Sequence, residues 1–152
     1  MTNGLGRVRP AALDDLPGLL RLEEEGFDRD RYGKRQMRYY LQRPANFTLF
    51  VWEEAGAVAG SAIMGWRKGA RVGHLYSIVA APGNQRKGVG SKLLEACESV
   101  AAARGCERIV LEVRRQNTAA VTFYERRGYA IIKSVKNYYV DDDALHMAKR
   151  LA

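Results

Sequence analysis

A glutamate and a tyrosine in the second half of the chain have the side-chain chemistry of a proton acceptor and a proton donor. Glu112 alternates with apolar residues in Leu111-Glu112-Val113, a pattern typical of a strand. Tyr124 lies within residues 118–127, where the sequence predicts a helix. A carboxylate can take the proton from an attacking group, and a phenol can donate one to a leaving group. Both residue types are therefore compatible with general acid–base chemistry, but the strand and helix patterns alone assign neither role.

Each of these side chains also has a purely structural interpretation. Glu112 could be the solvent-facing residue of an edge strand, and Tyr124 could be a packing residue of its helix. Asn117 precedes that helix and suits an N-cap, whose side chain accepts a hydrogen bond from the first turn. The capping role of Asn117 is compatible with binding a ligand.

The histidines and cysteines indicate no further chemistry. His146 lies in an alternating segment typical of an ordinary strand, and neither it nor His74 is predicted to be catalytic. Cys97 and Cys106 are expected to be reduced thiols that fill a core or a helix end, because two cysteines do not make a disulfide framework. No histidine cluster lies beside them in the sequence, so no metal site is predicted.

A glycine-containing segment, Gln85-Arg86-Lys87-Gly88-Val89-Gly90, stands between a predicted strand and a predicted helix. The first N–H groups of a helix have no intrahelical partner and can bind phosphate at the positive end of the dipole. Glycine lets the phosphate oxygens approach the backbone. The segment also fits a simple turn on a basic surface. It lacks the Lys-Ser or Lys-Thr pair of P-loops and the acidic residue of dinucleotide-binding folds.

The remaining pattern predicts an α/β protein of α+β order in a single domain, residues 1–152. Glycine or proline ends several of the predicted helices. The predicted strands are Arg7–Arg9, Thr48–Trp52, Ala57–Trp66, Gly73–Val79, Ile109–Val113, Tyr129–Val135 and Ala144–Leu151, and the predicted helices are Asp14–Glu25, Lys34–Gln42, Val89–Arg104 and Thr118–Arg127. One strand–helix–strand crossover lies at the centre of this order.

Composition limits the class of protein more than its function. The 152 residues suit one domain, and 47% of them are hydrophobic. Neither a signal peptide nor a membrane span is visible, so a cytoplasmic location without membrane association is expected. The formal charge of +8 is spread along the chain and attracts anions. Nucleic acid, a ribosome surface, an acidic peptide and cofactor phosphates would each satisfy it.

Several motifs in fixed order resemble the GNAT superfamily of N-acetyltransferases. The glycine segment resembles the loop that binds the coenzyme A pyrophosphate in that family. The similarity continues to the end of the chain and is greatest to the ribosomal-protein alanine N-acetyltransferases. The matching segments after the loop are Leu111–Ala120, Phe123–Tyr129, Lys136–Tyr139 and Asp143–Met147.

The resemblance implies a mixed, twisted sheet of about seven strands with four helices. The strand ending at Ala80 and the strand Ile109–Arg115 are expected to be parallel neighbours that splay apart around the pantetheine arm. Glu112 is then the proton acceptor and Tyr124 the proton donor, and the N–H of Val79 would stabilise the oxyanion. Acetyl-coenzyme A is the implied co-substrate. The residues implied to bind it are Ile78, Val79, Ala80, Arg86, Lys87, Gly88, Val89, Gly90, Ser91 and Asn117.

The implied activity is direct transfer of an acetyl group to an amine in a ternary complex. An N-terminal α-amine of a protein or peptide, such as a ribosomal protein, is the favoured acceptor. Near pKa 7.7–8.0, about a tenth of it is neutral at pH 7, against about one part in 10³ for lysine. A small amine such as a polyamine or an antibiotic is the alternative, as is a catalytically silent acyl-CoA-binding module. A monomer or homodimer that does not bind nucleic acid directly is expected.

Overall fold

The computed structural model describes residues 6–27 and 31–151, without the side chains of residues 85–87. Seven strands and four α-helices lie in these ranges. In chain order they are β1 (Gly6–Pro10), α1 (Leu16–Gly26), α2 (Lys34–Leu41), β2 (Phe47–Glu54), β3 (Ala57–Trp66), β4 (Val72–Ala80), α3 (Val89–Ala103), β5 (Arg108–Arg114), α4 (Thr118–Glu125), β6 (Ala130–Tyr139) and β7 (Asp142–Arg150). None of the described helices is long and apolar enough to cross a bilayer.

All seven strands form one mixed sheet in the order β1-β2-β3-β4-β5-β7-β6. Only β4 and β5 are parallel among these neighbours, because α3 carries the chain from the end of one to the start of the other. The α/β architecture with seven strands and four helices confirms the predicted fold.

A hydrophobic core lies on each face of the sheet. On one face, α3 buries Leu93, Leu94 and Cys97 against β5 and β7. On the other, Leu19 of α1 and Met37 of α2 pack against β2 and β3. Burial raises the pKa of the Cys97 thiol to about 12, so it is an unreactive core group, as predicted.

Most element boundaries shift by a residue or two from the sequence prediction, and two of the differences have a local cause. The first helix begins at Leu16 rather than Asp14, because Leu13–Asp15 forms a separate 3₁₀ turn. β6 extends beyond Val135 to Tyr139, which pairs with Asp142 of β7. The register shifts between Val135 and Tyr139, and Asn137 has a φ of 55°. Such a φ interrupts regular strand geometry, so local periodicity underestimates the length of this strand.

The parallel strands β4 and β5 pair over only three positions, from Val72–Arg108 to His74–Val110. Beyond this point, β4 has an extra residue relative to β3: Ile63 lies opposite Ser77, but Met64 lies opposite Leu75. The resulting bulge at Tyr76 bends β4 away from its neighbour. The predicted splaying of the two strands is confirmed, and the opening lies beside Glu112.

Candidate active site

A cavity of about 500 Å³ occupies the opening between β4 and β5. Its walls come from the two strands, the start of α4, the C-terminal end of α1 and the β6–β7 hairpin. Residues predicted from the sequence that line it are Ile78, Glu112, Asn117 and Tyr124. The fold therefore brings the proposed proton acceptor and donor to one cavity.

Glu112 lies on an interior strand, with 14% of its side chain exposed. Its Oε1 is 2.6 Å from His74 Nε2, and its Oε2 is 2.9 Å from His146 Nδ1. The hydrogen bond from His74, together with the contact from His146, lowers the pKa of Glu112 despite burial. A carboxylate only accepts hydrogen bonds, so each contacting nitrogen donates. The interpretation of Glu112 as an edge-strand surface residue is wrong.

Both histidines are part of this site, contrary to the expectation from the sequence. In the sheet, His146 of β7 lies directly opposite Glu112 of β5. His74 pairs with Val110, on the same face of the sheet as Glu112. Alternation in the sequence indicates which residues share a strand face, but it does not indicate which strands are neighbours. The sequence therefore contained no direct signal for this cluster.

Tyr124 faces the cavity from α4 and is largely buried. Its ring packs edge-on against Phe123 and Tyr129, with centroid distances of 5.2 and 5.7 Å. Burial raises its pKa well above the ordinary value. The phenol therefore keeps its proton at neutral pH, as a proton donor requires.

The β4–α3 junction has the local geometry of an anion-binding loop. Gly88 has a φ of 76°, which favours glycine, and α3 begins at Val89. The side chain of Val89 is buried, so only its backbone is available to a ligand. Gly90 packs against Phe123, because a Cβ at position 90 would lie 3.4 Å from the Phe123 ring. The predicted side-chain contributions of Arg86 and Lys87 lie outside the described part of the structure.

Arg127 places an additional cation beside this loop. Its Nε donates to Ser91 Oγ at 3.3 Å, and its guanidinium stacks on Phe123 at 3.9 Å from the ring centroid. Nη1 also donates to the Phe123 carbonyl at 2.9 Å. Because these contacts hold the guanidinium at the first turn of α3, Arg127 is a further candidate for phosphate binding.

The backbone of β4 supplies a different donor from the one expected. In an antiparallel ladder, N–H groups alternately face the partner strand and face away from it. Ala81 donates to Ala59 at 2.9 Å, so Val79, paired with Ser61, also faces β3. The expected oxyanion role of the Val79 N–H is therefore wrong. Ile78 has its N–H on the opposite side, towards the opening.

A profile of the acetyltransferase (GNAT) family matches residues 16–129, which is more than half of the chain. An uncharacterised N-acetyltransferase of Methanocaldococcus jannaschii is 31% identical over 94% of this chain and 90% of that protein. The chain belongs to the GNAT acetyltransferase family. An N-alpha-acetyltransferase of Saccharolobus solfataricus is 40% identical over 53% of this GNAT chain, and the match covers 50% of that relative.

Solved structures of GNAT proteins share the fold. The ribosomal-protein-S18-alanine N-acetyltransferase of Escherichia coli has a TM-score of 0.87 and 26% identity, covering 97% of this chain and 95% of its own. Ard1 of Thermoplasma volcanium also has a TM-score of 0.87, with 25% identity and coverage of 97% and 99%. The resemblance predicted from the motifs is confirmed.

Asn117 caps α4 in this member of the GNAT family. Its Oδ1 accepts the N–H of Ala120 at 3.1 Å, as the capping interpretation requires. Its side chain also borders the cavity between β4 and β5. The cap therefore fixes the orientation of a polar group beside the site.

Two sets of side-chain contacts fix tyrosines that line the cavity. Glu23 of α1 is buried, and its Oε1 accepts the N–H of Tyr32 at 2.8 Å. Arg114 stacks on Tyr139 at 4.3 Å from the ring centroid and donates to Asp141 at 2.5 Å. These contacts fix Tyr32 and Tyr139, which both line the cavity.

Proposed function

We propose that this protein is an N-acetyltransferase that transfers the acetyl group of acetyl-coenzyme A to the N-terminal α-amine of a protein or peptide. One observation carries the proposal: the Glu112 carboxylate, held by His74 and His146, faces the same cavity as the protonated phenol of Tyr124. The reaction needs this combination because the amine must lose a proton and the thiolate must gain one.

The geometry of the β4–α3 region supports acetyl-coenzyme A as co-substrate. The opening between β4 and β5 has the volume of a small-ligand site, and the N-terminus of α3 lies at the end of β4. When bound, acetyl-coenzyme A supplies the thioester carbonyl that the amine attacks. We assign its binding to Ile78, Val79, Ala80, Arg86, Lys87, Gly88, Val89, Gly90, Ser91 and Asn117, and add Arg127.

In this proposal, Glu112 accepts the proton of the acceptor amine, directly or through water. Its lowered pKa keeps it ionised near neutral pH, and the imidazole on each oxygen orients the carboxylate. His74 is more exposed than Glu112 and offers a route for the proton to solvent. Tyr124 donates its proton to the departing thiolate.

The α-amine is the favoured acceptor for two reasons, its protonation chemistry and the names of similar proteins. At pH 7 a much larger fraction of an α-amine than of a lysine side chain is already neutral, so the reaction depends less on proton removal by Glu112. One relative is named an N-alpha-acetyltransferase, and one structural neighbour acetylates an alanine of ribosomal protein S18. Both names support a protein N-terminus as the substrate class.

The test measures acetylation by mass spectrometry with three acceptors: a peptide with a free small N-terminal residue, its N-blocked lysine-containing counterpart, and a polyamine. We expect the free α-amine to be acetylated fastest. Acetylation of the polyamine alone would contradict an N-terminal substrate. If none of the three acceptors were acetylated, the proposed N-acetyltransferase activity would be contradicted.

The Glu112→Gln variant connects this activity to the site. We expect kcat to fall by about 10²–10⁴-fold, and the loss to shrink as pH rises and the amine deprotonates unaided. Glu95→Gln, which removes an exposed carboxylate of α3, is the matched control and should keep the wild-type rate. Equal rates for Glu112→Gln and wild type from pH 6 to 9 would refute the assignment.

A further inference from the structure

A second cavity, of about 520 Å³, adjoins the first. His74 and Tyr76 line both cavities, so they form the partition between them. His146, the other histidine on Glu112, also lines the second cavity. The two cavities therefore share a wall beside Glu112.

The sheet places the second cavity at a defined distance from Glu112. Arg108, Val110 and Glu112 alternate on one face of β5, and Arg108 and Val110 line the second cavity. Four residues of strand separate Arg108 from Glu112, which is about 13 Å at about 3.3 Å per residue. An extended peptide covers the same distance in about four residues. The second cavity is thus within reach of the first few residues of an acceptor.

The charged residues that line the second cavity are basic: Arg67, Lys68 and Arg108, with no carboxylate among the described lining residues. Arg67 lines the second cavity together with Tyr76 of the partition, and burial raises the pKa of Tyr76. Glu107, beside Arg108 in sequence, forms its ion pair with Arg71 at 3.6 Å. The walls between the cations are apolar and include Trp66, Val72 and Val110.

We infer that this second cavity binds acidic side chains at the second to fourth residues of the acceptor, so that the enzyme prefers acidic N-termini. The inference rests on the proposed function and specifies its substrate class. Exposed arginine and lysine side chains attract carboxylates over the length of a short peptide, and the attraction is screened by salt. The preference should therefore appear as a lower KM for acidic peptides, and it should weaken at high ionic strength.

The experiment compares two peptides that differ only in charge. One begins Ala-Asp-Glu-Asp and the other Ala-Asn-Gln-Asn, with identical residues after them. We expect kcat/KM to be about tenfold higher for the acidic peptide at low salt, chiefly through KM. The ratio should approach one at 1 M salt, where the Debye length is about 3 Å. Equal kcat/KM values at low salt would overturn the inference and leave the proposed function standing.

Two charge-matched double variants locate the effect. Arg67→Gln/Arg108→Gln removes two cations from the second cavity, and Arg35→Gln/Arg38→Gln removes two exposed cations from α2. The acidic-to-amide ratio should fall towards one in the first variant and persist in the second. An equal fall in both variants would show a general charge effect and overturn the inference. No turnover of either peptide by the wild type would overturn both proposals.

Discussion

At the scale of single residues, Glu112 is held at both carboxylate oxygens by side chains from two other strands. His74 of β4 contacts Oε1 and His146 of β7 contacts Oε2. Hydrogen bonds to a charged group are worth about 1.5–3 kcal/mol, so the pair stabilises both the ionised form and one orientation. His146 does not line the cavity between β4 and β5. Its contribution there is to position Glu112.

The His146→Leu variant tests this positioning role. Loss of the Nδ1–H donor should move the pKa of Glu112 upwards, and kcat should fall by about tenfold, the equivalent of about 1.4 kcal/mol. NMR titration of the labelled Glu112 carboxyl carbon measures the pKa. His146→Asn is the control, because its amide nitrogen is attached to Cγ as Nδ1 is and can donate from a similar position. It should restore most of the Glu112 pKa and most of kcat. An unmoved Glu112 pKa in His146→Leu would contradict the role.

At the scale of elements, the junction of β4 and α3 combines a turn with a helix N-terminus. A residue at position 88 must adopt a φ of 76°, and a Cβ there would meet no described atom within 4 Å. The space beside Gly88 is therefore open, and a side chain would project into it. The motif in the sequence predicted this junction well, because its determinants are local.

Gly88→Glu is expected to weaken acetyl-coenzyme A binding at least tenfold, or by about 1.4 kcal/mol, because it adds a negative charge beside the proposed phosphate-binding loop. Any side chain at position 88 also strains the backbone. Gly56→Glu is the matched control, since Gly56 has a φ of 79° and equally open surroundings in the β2–β3 turn. Calorimetry should show weaker binding only in Gly88→Glu, and similar losses in both variants would refute the loop assignment.

At the scale of the whole molecule, the core contains a carboxyl group that costs stability when it ionises. Glu23 is 1% exposed, and its Oε2 has no hydrogen-bond partner within the described residues. Burial raises its pKa to about 7, against an ordinary value of 4.5. The folded state therefore holds this proton between these pH values while the unfolded state has lost it. The contribution of Glu23 to stability falls as pH rises from about 4.5 to 7 and is constant above.

The Glu23→Gln variant should remove this pH dependence. The raised pKa of Glu23 corresponds to a loss of about 3 kcal/mol in the free energy of unfolding as pH rises from about 4.5 to 7, and this loss stays constant at higher pH. The melting temperature of the variant, relative to wild type, should therefore rise by roughly 6–12 °C between pH 4.5 and pH 8. Glu25→Gln, an exposed position on the same helix, should show no such trend. A pH-independent difference between Glu23→Gln and wild type would contradict the buried ionisation.

Features with local causes could be predicted from the amino-acid sequence. Apolar periodicity indicated α3 and β5, and the glycine segment indicated the β4–α3 junction. Glu112, Asn117 and Tyr124 were singled out by the resemblance of short local motifs to the GNAT family. Each depends on residues within a few positions of one another, where helix and strand geometry constrain side-chain directions directly.

Contacts between residues that are distant in the sequence depend on the three-dimensional fold. His74, Glu112 and His146 come from three strands, and they meet because β5 lies between β4 and β7. Alternation would have placed His146 on the same face whichever strand lay beside it. The burial of Glu23 and the basic second cavity likewise depend on how the helices and strands pack. The contacts around Glu112 are therefore a property of strand order, which no local pattern encodes.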